Sequence, residues 1–96
     1  MAILNKPIEF EWDEGNSGKN WARHKVSDQE CEEAFFDNNK KIFKDILHSG
    51  KEERYILFGN TKKQRLLFIV FTVRNIRVRV ISARDMNKKE NKLYHG

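Results

Sequence analysis

The stretch from Leu66 to Ser82 constrains the fold more than any other part of the chain. Leu66 to Phe71 is an unbroken apolar run, and its character carries on to Val73. The run is far shorter than the ~20 residues that span a bilayer, and it is rich in aromatic and β-branched side chains. It reads as a central strand covered on both faces. Arg74-Asn75 follows as a two-residue turn, since Asn tolerates the positive φ of a tight hairpin. Ile76 to Ser82 then alternates, as a second strand does. An antiparallel hairpin in this position is the frame to which the other elements must be fitted.

The second strand of that hairpin sorts its side chains. Ile76, Val78 and Val80 share one face, and Arg77 and Arg79 share the other. Two guanidiniums so spaced lie roughly 7 Å apart, a fit to neighbouring phosphates of a nucleic acid. A solvated outer face would show the same spacing, and spacing alone favours that plainer reading. Strict alternation puts Arg84 on the Val78/Val80 face, unless a bulge near Ser82 re-aims it.

Elsewhere the pattern predicts a short strand over Ile8–Trp12, broken by Asp13 to Gly18. Lys19 to His24 reads as a short helix anchored by Trp21. Ser27 and Glu30 have capping-box spacing, and Cys31, Ala34 and Phe35 form one apolar face of a second helix. Asp37-Asn38-Asn39 ends it. Ile42–Ile46 is a short strand, His48–Lys51 a loop, Arg54–Phe58 a strand and Gly59-Asn60-Thr61 a turn. Asp85 caps a last helix that runs to about Tyr94. The expected architecture is α+β, with helices packed on one sheet face.

Composition narrows the function. Ninety-six residues suit one domain over 1–96 with a thin core. A net charge of +5 with a sequence pI of ≈ 9.5 suits phosphate-rich or acidic partners, although charge alone favours the plainer reading of a surface that keeps a small protein soluble. Cys31 is the sole cysteine, so an internal disulfide is excluded, and its apolar spacing makes it a core residue. No zinc-ligand spacing, Walker loop, HExxH or GxSxG occurs. The first ten residues lack a signal-peptide pattern, which points to the cytoplasm.

Titratable candidates are few. His24 lies at the end of the first helix, and an imidazole can exchange protons near neutral pH. Glu52-Glu53 precede Arg54, and Glu90 lies on the last helix. RNA cleavage through the internal 2′-hydroxyl needs a base, an acid and cations around the phosphorane, and these residue types supply all three without a metal. Each of them taken alone is more often surface decoration.

The separate pieces also form a pattern. Phe10-Glu11-Trp12-Asp13, Asn20, Arg23-His24, Val26-Ser27, Glu33-Ala34, Phe36, Glu53-Arg54-Tyr55, Gly59, Leu66-Leu67, Arg77 to Arg84, Glu90 and Tyr94 resemble, in order and spacing, the BrnT family of bacterial toxins. Two positions depart from it: Lys25, where glycine is frequent, and Asn16, where lysine is common. The resemblance implies a RelE-like fold, a small antiparallel sheet of about four to five strands with two N-terminal helices and a C-terminal helix. It implies a type II toxin that cuts RNA and blocks translation without a cofactor or metal. It implies a BrnA-like ribbon–helix–helix antitoxin, two toxins assembled with two antitoxins, and operator DNA bound through the antitoxin. Carried over, the site residues are His24 (base or acid), Arg77 and Arg79 (phosphates), Arg54 or Arg84 (transition-state charge), Glu53 (orienting Arg54, or base) and Tyr94 (stacking or proton donation). The competing expectation is a protein that binds RNA, ribosome or antitoxin without cutting.

Overall fold

The hairpin forms at the centre of the sheet, with a turn one residue later than the sequence pattern suggests. In the computed structural model, which describes residues 4, 6–47 and 50–96, β4 spans Leu66–Arg74 and β5 spans Arg77–Asp85. Asn75 and Ile76 form the turn, both with positive φ (47° and 68°), so Ile76 leaves the strand and is exposed. β3 (Tyr55–Asn60) pairs antiparallel with β4, and β2 (Lys41–Lys44) pairs antiparallel with β3. β1 shrinks to Glu9–Phe10 and pairs parallel with β5, so the strand order is β1-β5-β4-β3-β2 and the sheet is mostly, not wholly, antiparallel.

Two expected boundaries move for local reasons. Gly59-Asn60 continues β3 because both residues pair with β4, and the turn falls on Thr61 to Gln64. The last helix, α3 (Lys88–His95), is capped by Asn87 and not by Asp85, because Asn87 and Glu90 complete a reciprocal capping box. Asp85 remains in β5. In the predicted loop, His48 and Ser49 lie outside the described residues.

The core lies on one face of the sheet. α2 (Asp28–Phe35) carries the expected Ser27/Glu30 capping box and buries Cys31, Ala34 and Phe35 against Leu57, Leu67, Ile69, Phe71, Val78 and Val80. Gly59 permits this approach: a Cβ there would lie 2.6 Å from the Ala34 carbonyl oxygen. The opposite face of β4 is half-covered, so β4 alternates in burial where full cover was expected.

α1 (Lys19–His24) lies against β5. Trp21 does not anchor it, being 52% exposed with the Lys25 ammonium over its ring. The anchor is Asn20, which is buried and whose Oδ1 accepts from the Ala83 N–H at 2.9 Å. Asn16 Nδ2 donates to the Val80 carbonyl at 3.2 Å and to the Glu11 carbonyl at 2.9 Å. The short β1 leaves this part of the β5 rim without a partner strand, and two side-chain amides satisfy it instead. Lys25 closes α1 in the left-handed conformation, φ 56°, which glycine adopts most readily at such a cap.

Candidate nucleic-acid interface

β5 carries one residue more than β4 accommodates. Phe71 pairs with Val80 and Val70 with Ser82, so Ile81 bulges. Beyond the bulge the alternation reverses. Ala83 turns into the core, and Arg84, opposite Phe68, joins Arg77 and Arg79 on the outer face. The bulge that the sequence left open therefore brings three arginines to one side of one strand. Arg77 and Arg84 are roughly 20 Å apart along it, too far to hold the same phosphate.

The three differ in what they have left to offer. Arg79 is held by the Phe10–Asp13 segment: Nη1 donates to Glu11 at 3.0 Å and to Asp13 at 2.8 Å, and Nη2 donates to Asp13 at 3.0 Å. Its side chain is 13% exposed, and a Cβ on Gly15 would meet its Nη2 at 2.6 Å. The Arg79 guanidinium in turn holds the Asp13 carboxyl below its ordinary value. Arg84 donates through Nη1 and Nη2 to the two oxygens of Glu90, each at 2.8 Å, and its guanidinium lies 4.0 Å from the centre of the Phe68 ring. That fork also keeps the Glu90 carboxyl low. Arg77 is exposed, and among the described residues its side chain makes no hydrogen bond or ion pair. Arg74, opposite Arg77 across the turn, is forked by Glu52.

The other predicted residues fall at the two ends of the sheet. Glu53 and Arg54 sit before β3, near the hairpin turn. Glu53 accepts from Lys44 Nζ and from the Tyr55 hydroxyl, each at 2.9 Å, which lowers its carboxyl. Arg54 accepts through its carbonyl from the Asp45 N–H at 2.8 Å. His24 and Tyr94 are at the far end. Tyr94 is buried, donates to Asp37 Oδ2, and burial together with that carboxylate pushes its hydroxyl up to about 12. His24 is exposed at the end of α1, and its carbonyl accepts from Arg65 Nη2 at 3.1 Å.

Arg65 is the residue that sequence reasoning missed. It also donates to the Lys25 carbonyl at 2.7 Å, to Glu30 at 3.2 Å and to Asp85 at 2.7 Å. It thereby ties α1, α2 and the end of β5 together around His24. The Arg65 guanidinium, and more weakly His24, hold the Asp85 carboxyl below its ordinary value. A lone arginine between a turn and an apolar strand carries no local signal of this role. The described residues contain no group of three His, Cys, Asp or Glu placed to hold a metal ion, and among them no helix is long and apolar enough to cross a membrane.

A family model described as the ribonuclease toxin BrnT of type II toxin–antitoxin systems matches residues 12–90. The chain belongs to the BrnT family. It is a ribonuclease toxin of a type II system, and such a toxin has RNA as its substrate and a cognate antitoxin as its partner. A search of the curated proteins returns no match. The matched span of this BrnT chain includes Asp13, Arg65, the bulge, and Arg84 with Glu90.

Proposed function

We propose that this BrnT toxin is a metal-independent endoribonuclease whose RNA runs along the outer face of β5. The bulge at Ile81 carries this reading, because it aligns Arg77, Arg79 and Arg84 on one side of the strand. Arg77, with its whole donor edge open, holds a phosphate of the backbone. Cleavage is assigned to the other end of β5, where His24 at the end of α1 lies close to Asp85, the residue that follows Arg84. His24 removes the proton from a 2′-hydroxyl, whose oxygen attacks the adjacent phosphorus. The P–O5′ bond breaks and the departing oxygen takes a proton from water, giving a 2′,3′-cyclic phosphate and a 5′-hydroxyl end, while His24 returns its proton to solvent. Arg79, Glu53 and Tyr94 act through the scaffold, since each already has a partner within the chain. Arg54 lies at the hairpin end, where it adds positive charge to the path of the RNA.

In the cell, cutting RNA blocks translation. We place the toxin in the cytoplasm as one domain over residues 1–96. There it is paired two-to-two with a ribbon–helix–helix antitoxin of the BrnA type, through which the complex reaches its operator.

The test uses purified toxin, freed of antitoxin, incubated with RNA in EDTA. Discrete products carrying 2′,3′-cyclic phosphate ends, lost in a folded His24→Ala variant, are expected. Cleavage that disappears in EDTA and returns with a divalent cation overturns metal independence. A salt-sensitive gel shift without products favours the non-cutting reading instead.

A further inference from the structure

We propose that Arg84, lying on Phe68, is a seat for a nucleobase of the RNA and not a clamp on its phosphates. A guanidinium offers two kinds of surface, a donor edge and two flat faces. Three of the five N–H donors along the edge of Arg84 are taken. Nη1 and Nη2 both donate to Glu90, and Nη1 also donates to the Asp85 carbonyl at 3.0 Å. Glu90 cannot easily turn away, because its Oε1 also accepts from the Asn87 N–H at 2.9 Å and its side chain is 13% exposed. One face of Arg84 is covered by Phe68. Yet the side chain remains 37% exposed, against 13% for Arg79. What is left over is the second face, with Nε–H and one N–H of Nη2 at its margin.

A flat cation with its edge neutralised and one face on an aromatic ring suits a base better than a phosphate. Unstacked RNA bases lie readily on guanidinium planes and aromatic rings. Phe58, Phe68 and Arg84 stand directly opposite one another across β3, β4 and β5, which keeps the platform rigid. The Arg84–Glu90 pair has no net charge and adds little to the long-range pull on the backbone. The seat therefore selects which nucleotide is placed beside the cleavage point. The inference rests on the reading that RNA crosses the outer face of β5.

The experiment measures binding of uncleavable 2′-O-methyl RNA oligonucleotides, with 2-aminopurine walked along the sequence, over a series of salt concentrations. With the wild-type toxin, one position is expected to show quenched fluorescence from stacking. Arg84→Gln should lose that quench, and the double variant with Glu90→Gln, which leaves no unpaired carboxylate, should lose it and bind roughly tenfold more weakly with the salt dependence unchanged. Arg84→Lys, which keeps the charge but not the plane, should also lose the quench. A salt slope that drops by about 0.7 in the double variant and is retained in Arg84→Lys would make Arg84 a phosphate contact and overturn the seat. Unchanged affinity and quench in the folded double variant would overturn it as well. The RNA path is tested separately by Arg77→Ala. If affinity and slope survive that change while the Arg84-dependent quench persists, the path is wrong and the seat stands.

Discussion

Arg65 holds Asp85 through two bonds, Nε to Oδ1 at 2.7 Å and Nη2 to Oδ2 at 3.1 Å, while the same guanidinium caps the carbonyls of His24 and Lys25. A six-residue helix is too short to be stable in isolation, so α1 depends on such tethers.

Arg65→Ala should therefore cost about 3 kcal/mol, since it strands Glu30 and Asp85 and frees two helix-end carbonyls. The melting temperature is expected to fall by on the order of 15 °C. Circular dichroism on heating measures it, and a loss below a few degrees would show that the cluster is dispensable.

Asn20→Ala should cost about 1–3 kcal/mol, because the buried N–H of Ala83 loses its acceptor. The specific sign is faster hydrogen exchange at Ala83, followed by NMR, with the amides of β3 little changed. Uniform change across the sheet would mean that the rim is held by something other than this amide.

Tyr94→Phe removes a buried donor to Asp37 and should cost about 1 kcal/mol at neutral pH. The Tyr94 hydroxyl is raised, by burial first and by the Asp37 carboxylate second, from an ordinary 10.0 to about 12. A raised value means that the folded state binds the proton more tightly. Its stabilisation is complete below about pH 10 and is lost as the pH rises toward 12. Urea titrations of both proteins should show a constant gap up to pH 10 that narrows above it.

Cys31 should not react with iodoacetamide in the folded toxin at pH 8. Burial, with Asp28, Glu30 and Glu32 nearby, pushes its thiol from 9.0 to about 12. Labelling should appear in urea at the denaturation midpoint. Rapid labelling of folded protein would show that α2 opens locally.

The sheet and the second helix were legible because their signals are local. Leu66–Val73 with an alternating partner makes a hairpin, and Ser27 with Glu30 makes a cap, whatever the remaining residues do. The misses came from choices made across the fold. Nothing near Glu9 reveals that it pairs with Arg77 in parallel. Asp85 is as good a cap as Asn87 by type, but Arg65 holds it in the strand. At the candidate site, the alternation of Arg77 and Arg79 could be read directly, whereas the side taken by Arg84 hung on one bulged residue, Ile81. The pairing of Arg79 with Glu11 and Asp13 joins residues 68 and 66 positions apart, beyond the reach of any local pattern.

The amides of Asn16 and Asn20 have a consequence for assembly. By occupying the rim of β5, they deny another chain the main-chain groups along which it would zip. On that flank, β1 offers a visitor a border two residues long. Lateral growth of the sheet is thus steered to the opposite border, at β2, which offers only four residues with a lysine at each end.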